Sequence, residues 1–367
     1  MRVLAVDVGT GTQDILLFDS EQPIENCVQL VLPSPTEIAA RRIARATAAR
    51  RPVLLVGTVQ GGGPCHWALE RHLRAGLPAY ATPEAAQTFD DDLDVVRGMG
   101  VTIVSEDEAA SLDGRAERVV LRDLDLEAIR HALAAFEVDT RFDGLALACL
   151  DHGAAPPGYS DRLFRFDHLR RVVEGGNDLL RFAFLPEEVP AYLTRARALL
   201  ACAGDEGVPT VFLDTGPAAA LGALQDPQVA ASEERFVVNL GNMHALAFHL
   251  VGTRIRSLFE HHTGEVTPEQ LEDYIEGLMA GTLTHEEVFG SKGHGVFYAE
   301  GPTGNRPRVA VTGPQRWKLR GSRLRPYFAV PHGDMMLAGC FGLLWAFAVR
   351  HPRHGEEVLS RLNAGTG

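Results

Sequence analysis

Two strands joined by a glycine-rich turn open the chain at Val3–Asp19, and few folds accommodate such a start. Val3 to Val8 is an almost unbroken apolar run around Asp7, the pattern of a strand covered on both faces. Gly9 and Gly11 take positive φ at no steric cost, so the backbone can reverse sharply and aim its amides outward. Thr10 and Thr12 add hydroxyls, while Asp7 and Asp14 flank the turn. A concave set of amides and hydroxyls beside carboxylates suits a phosphate carrying Mg²⁺, and the same residues would equally make an ordinary hairpin.

The pattern recurs. Phe236 to Leu250 again reads strand, turn, strand, with Asn239, Gly241, Asn242 and His244 at the reversal. Two such units far apart imply two similar halves facing each other. The first unit resembles the first phosphate motif of the actin, Hsp70 and sugar-kinase superfamily. That resemblance implies an α/β protein of two ribonuclease-H-like (actin-like ATPase) lobes, with mixed sheets around a central cleft for ATP and Mg²⁺. It implies a first lobe over 1–222, with an insertion near 83–205, and a second lobe over 223–367. Asp7 would hold Mg²⁺. Gly9, Thr10, Gly11 and Thr12 would cradle phosphates together with Asn239, Gly241, Asn242 and His244. Thr312 and Gly313, after a late strand, would lie near the adenosine. The alanine-rich stretch after Asp214 and the small residues Ala338, Gly339 and Gly342 resemble the two connecting helices of that fold.

Composition narrows the partners. With 367 residues the chain can support two cores, and 46% hydrophobic with 23% charged residues is ordinary for a globular enzyme. A net charge of −13 argues against nucleic acid or an anionic membrane as the main partner. No stretch approaches the roughly 18 apolar residues of a membrane helix, and the first residues read as a buried strand, so a cytoplasmic protein acting on a small molecule is expected. Self-association into a homo-oligomer is left open. The five cysteines are scattered without CxxC spacing, which suggests buried reduced thiols.

Further candidates lie at strand ends. Pro52–Val56 is a buried strand opening into Gly61, Gly62 and Gly63 before Pro64, which starts a helix; this is either an anion site or a flexible loop. With a strand at Leu77–Tyr80, the order through residue 80 matches the core of one superfamily lobe. The run Asp90 to Asp94 reads as a solvated helix start rather than a metal site. Gly144–Leu150 delivers Asp151 and His152 at its C-terminal end, where ligands of open α/β sheets sit. In the second half a strand ending at Phe259 delivers His261 and His262, and Thr267 caps the helix that follows. These four residues are the candidates for facing the acceptor and supplying the base.

His152, His244, His261, His262, His294 and His332 all lie in turns flanked by glycine or at strand ends. Gathered at one cleft, such residues bind a transition metal (Zn, Ni or Fe), contact phosphates or exchange protons near neutral pH. Asp7, Asp14, His244, His261 and His294 are the metal candidates.

At closer range Gly61–Pro64, Thr82–Ala86, Asp151–Gly153, Glu260–Thr263, Gly293–Gly295 and His332–Met336 resemble a family of bacterial and archaeal proteins labelled as related to pyruvate formate-lyase activating enzyme. A radical activating enzyme holds its iron–sulfur cluster on three closely spaced cysteines, which this chain lacks, so that activity is not expected here. The expectation is an ATP-dependent phosphotransferase or ATPase. The alternatives are a metal-dependent enzyme using the histidines, which Asn239 in place of an acidic residue favours, and a non-catalytic nucleotide sensor.

Overall fold

The computed structural model describes residues 1–204 and 206–364. Asp205, where the expected insertion ends, and residues 365–367 lie outside them. Three antiparallel strands open the chain: β1 (Arg2–Val8), β2 (Thr12–Asp19) and β3 (Val28–Pro33). Four short strands follow, β4 (Val53–Gly57), β5 (Ala79–Ala81), β6 (Val101–Ile103) and β7 (Glu117–Leu121). Then β8 (Gly144–Cys149), β9 (Ala183–Phe184) and β10 (Thr210–Leu213) return to the first sheet, whose order is β3-β2-β1-β8-β10-β9. The second half contributes β11 (Glu234–Leu240), β12 (His244–Val251), β13 (Arg254–His262), β14 (Gly295–Tyr298), β15 (Val309–Thr312) and β16 (Tyr327–Phe328). They form a sheet of order β14-β13-β12-β11-β15-β16.

Both sheets contain the same unit. A three-stranded antiparallel meander adds a fourth strand parallel to its first, and a fifth on the far side of that. This is the ribonuclease-H-like order, present twice, and the fold is the two-lobed α/β architecture that the paired turns imply.

The layering follows from side-chain alternation along the strands. Val3, Ala5, Leu16, Phe18, Ala146 and Val211 face one core, and Leu4, Val6, Ile15, Leu17, Leu147 and Phe212 face another. The first of these cores also takes one face of the second sheet, through Val237, Leu246, Phe248 and Leu258. Between the sheets lie the helices Thr215–Ala223 and Ala338–Arg350. They approach closely because Gly222 and Gly342 have no side chain. A Cβ on Gly222 would stand 1.7 Å from the Ala338 carbonyl oxygen, and one on Gly342 would stand 1.9 Å from that of Ala218.

One expectation is corrected. β4 and β5 do not extend the first sheet; with β6 and β7 they form a separate parallel sheet of order β6-β5-β4-β7 with its own core. The fourth and fifth strands of the first lobe are β8 and β10. A strand–helix–strand segment has the same pattern whichever sheet receives it, so the sequence period cannot choose between them. No helix among the described residues is long and apolar enough to cross a membrane.

Candidate functional site

The β1–β2 and β11–β12 turns have one geometry. The Gly9 amide donates to the Thr12 carbonyl at 2.9 Å, and the Gly241 amide donates to the His244 carbonyl at 2.9 Å. The turns meet across the space between the lobes: a Cβ on Gly11 would lie 2.4 Å from Nδ2 of Asn242. Around them is a cleft of about 360 Å³. Its walls include Asp7, Gly9, Thr10, Thr12, Asp14, Gly61, Gly62, Gly63, Asp151, His152, Asn239, Gly241, Asn242, His244, Thr312 and Gly313. Residues nominated from distant parts of the sequence therefore line one site.

The two turns differ in charge. Asp7 and Asp14 are directly opposite on β1 and β2, whereas the equivalent positions on β11 and β12 are Asn239 and Leu246. Asp7 accepts from the Thr215 hydroxyl at 2.8 Å, and the start of the Ala338–Arg350 helix abuts it, since a Cβ on Gly339 would lie 1.9 Å from Asp7 Oδ2. Asp14 Oδ1 is buried and has no hydrogen-bond partner. Burial pushes the Asp7 carboxyl up to about 7 against the Thr215 hydrogen bond. Burial, and then the charge of Asp7, push Asp14 up to about 8. A buried carboxylate pair with an orphaned oxygen is a site that gains from a hard cation such as Mg²⁺.

Beside the second turn four histidine rings converge, and two of them, His152 and His244, line the cleft. His152 comes from the end of β8, His244 starts β12, His262 ends β13 opposite His244, and His294 immediately precedes β14. Nε2 of His152 lies 3.2 Å from Nε2 of His244. The rings of His294 and His262 are 4.5 Å apart by centroid, and those of His294 and His244 4.9 Å. Burial lowers the pKa of His152 well below its usual value and takes His262 down to about 4, so both rings are neutral at physiological pH.

Beneath the rings lies a buried ionic network. Arg165 is fully buried and donates to both carboxylate oxygens of Glu260 at 3.1–3.3 Å, to Asp214, and to the Asp151 carbonyl at 3.2 Å. Glu260 also takes the hydrogen bond of His244 Nδ1 at 3.0 Å. Burial is the largest influence and would raise the Glu260 carboxyl, but Arg165 together with His294 and His244 outweighs it and holds it well below the usual range.

Three of the base candidates are placed otherwise than expected. His262 packs against the other rings without lining the cleft, and His261 is turned away from it, because successive strand residues point to opposite faces. It sits with Tyr274, bonded through Nε2 to Ser291 and through Nδ1 to the His262 carbonyl, and so joins no metal-capable group with His244. Asp151 reaches the cleft wall, but its carboxylate accepts the Gly153 and Ala196 amides at 2.8 and 2.9 Å and thus braces the loop. Of the glycine triplet, the Gly61 amide is already bonded to Asp123, at 3.1 Å.

Two charged residues of the cleft wall are not marked in the sequence. Asp91 lies there although its neighbours Asp90 and Asp92 are turn and cap residues, accepting the Asp92 and Asp94 amides. Partial burial, then the charges of Asp151 and Asp161, raise Asp91 to about 6. Arg195 brings a guanidinium to the wall, fixed by Asp123 at 2.6 Å and by the Leu150 carbonyl at 2.6 Å. The alanine-rich helix around Arg195 carries no signal for this.

A family profile described as "Putative pyruvate format-lyase activating enzyme (DUF1786)" matches residues 60–318. No curated protein matches the chain. Among solved structures, the chain is similar to the inorganic polyphosphate/ATP-glucomannokinase of Arthrobacter sp. strain KM, at 11% identity and a TM-score of 0.34, over 95% of this chain and 99% of that one. It is similar to the ROK hexokinase of Thermus thermophilus, at 12% identity and a TM-score of 0.32, over 96% and 100%. It is also similar to the Ppx/GppA phosphatase of Aquifex aeolicus, at 8% identity and a TM-score of 0.32, over 100% and 90%. The two-lobed fold follows from the strand order of the two six-stranded sheets. The activity in the family description does not fit the residues present. An iron–sulfur cluster needs three neighbouring thiolates, whereas Cys65, Cys149 and Cys340 belong to three different cores.

Proposed function

The chain belongs to the DUF1786 family, and on that premise we propose that it is a nucleotide-binding phosphotransferase or ATPase acting on a small molecule in the interlobe cleft. One observation carries this reading. Two equivalent turns meet across one cleft, and only the first has the buried carboxylate pair, with an oxygen of Asp14 left unbonded. Such a cradle fits phosphates on the turns and Mg²⁺ at Asp7 and Asp14.

Bound Mg²⁺·ATP would supply the transferable phosphoryl group and neutralise its charge. The Gly9–Thr12 and Gly241–His244 turns would orient the phosphates, and Arg195 adds a fixed positive charge at the wall. Thr312 and Gly313 take the adenosine side. Asp91 is the group we assign as base, because its proton affinity lies near neutrality and Asp151 is already committed to backbone amides. The acceptor hydroxyl passes its proton to Asp91 as the phosphoryl group arrives. Transfer then depends mainly on positioning and electrostatics.

Calorimetric titration of metal-stripped protein with Mg²⁺ and ATP tests this directly. Micromolar binding is expected, at least about 30-fold weaker in Asp7→Asn, while Asp91→Asn keeps binding and loses turnover. An absence of heat from well-folded protein would sink the proposal.

A further inference from the structure

We infer that His152, His244 and His294 form a binding site for a divalent transition-metal ion, flanked by His262 and separate from the carboxylate pair at the phosphate turns. The three offer ligand nitrogens that all lie within 4.8 Å of one another. The His152 and His244 Nε2 atoms, 3.2 Å apart, are already at ligand spacing. Two imidazole nitrogens at about 2.0–2.1 Å from a tetrahedral ion stand about 3.3 Å from each other.

Three further observations point to an ion rather than to a packed cluster of rings. First, His294 is fully buried, and neither of its ring nitrogens has a hydrogen-bond partner. Leaving a buried polar atom unpaired costs about 1–3 kcal/mol, so both nitrogens call for a ligand. Second, His244 is oriented as metal-binding histidines are. Glu260 accepts its Nδ1 proton at 3.0 Å, which leaves the Nε2 lone pair facing His152. Third, the ground beneath the rings is negative on balance, with Glu260 and Asp214 set against the one guanidinium of Arg165. Neutral imidazoles above such a network complement a cation.

The donor set names the class of ion. Imidazole nitrogens favour Zn²⁺, Fe²⁺, Ni²⁺ or Co²⁺, whereas Mg²⁺ and Ca²⁺ take oxygen ligands. Three protein ligands leave a position open, the arrangement of catalytic rather than structural sites. Because His152 and His244 line the cleft while His294 lies behind them, that position faces the phosphate turns. The site also joins the halves of the molecule, since His152 belongs to the first lobe and the other ligands to the second.

The inference stands independently of nucleotide binding. Untagged protein is stripped with chelator, its fold is checked by thermal unfolding, and it is titrated calorimetrically with Zn²⁺ and Co²⁺. One equivalent should bind with submicromolar affinity, and Co²⁺ should show the visible bands of a low-coordinate nitrogen site. His294→Ala breaks no hydrogen bond in the metal-free protein, so it should fold as the parent does and bind at least 100-fold more weakly. His152→Ala, which gives up the hydrogen bond to His244, should likewise bind at least 100-fold more weakly, while His66→Ala leaves binding unchanged. Absence of a one-to-one site in folded protein, or parental affinity in both His294→Ala and His152→Ala, would overturn the inference. A Mg²⁺·ATP titration of the same sample reports separately on the nucleotide proposal.

Discussion

Burial holds the protons of Asp7 and Asp14 well above the ordinary carboxylate range, and this fixes the sign of their contribution to stability. A carboxyl whose folded pKa exceeds its unfolded value near 4 binds its proton more tightly in the native state. That stabilisation is complete below about pH 4 and is lost as pH rises toward 7–8. The buried histidines act in the opposite sense at lower pH; His262, lowered to about 4, gains stability as pH climbs through 4–6.5. The Asp14 contribution is therefore read as a difference between parent and Asp14→Asn. In chelator at pH 5 the two should unfold at similar urea concentrations. At pH 9 the variant should be the more stable, by roughly 2–4 kcal/mol, since each tenfold difference in proton affinity is worth about 1.4 kcal/mol. Saturating Mg²⁺ should close that gap, because a cation then replaces the proton. A difference that does not change with pH would mean that Asp14 does not ionise in this range.

The helix pair Thr215–Ala223 and Ala338–Arg350 sets how closely the sheets approach and where Gly339 meets Asp7. Gly342→Ala would place a methyl where the Ala218 carbonyl now sits, so the helices must part. Overpacking of this kind costs about 1–3 kcal/mol or more, and each kcal/mol lowers Tm by roughly 1–2 °C in a chain of 367 residues. An unchanged Tm by calorimetry would contradict the contact. These helices, like the paired turns and the Thr267 cap, were legible in the sequence because small-residue spacing, glycine turns and capping boxes are local signals. The destination of β4 and β5 was not, since a buried parallel strand carries no mark of its neighbour. The sequence pattern ends the third strand of the second half at Phe259, but β13 runs on through His262, so strand alternation separates His261 from His262. Glu260 is the stronger clue, because a carboxylate directly after the buried run Ser257–Phe259 cannot be buried without partners, and it has found Arg165 and His244. Asp91 was hidden by a true general rule, as most acidic runs do cap helices and its own neighbours do so.

At the scale of the whole molecule the cleft brings two different ligand chemistries within one wall, oxygen donors at the first turn and nitrogen donors at the second. His244 belongs to both. Its carbonyl closes the Gly241 turn, and its ring faces His152 of the first lobe. A transition metal held by His152 and His244 ties the lobes together at that point. Phosphates spanning the Gly9 and Gly241 turns need the same closed arrangement, so each ligand should spend less of its binding energy on closure once the other is present. Linkage makes the effect reciprocal: if Zn²⁺ tightens Mg²⁺·ATP binding by some factor, ATP must tighten Zn²⁺ binding by the same one. A factor of about 5–10 is expected, within the usual range for coupled sites. Calorimetric titration of each ligand with the other absent and then saturating measures both sides of the cycle. Equal affinities throughout would show that the lobes are already closed in the free protein, and weaker binding of each ligand in the presence of the other would mean that one ligand occupies the other's site.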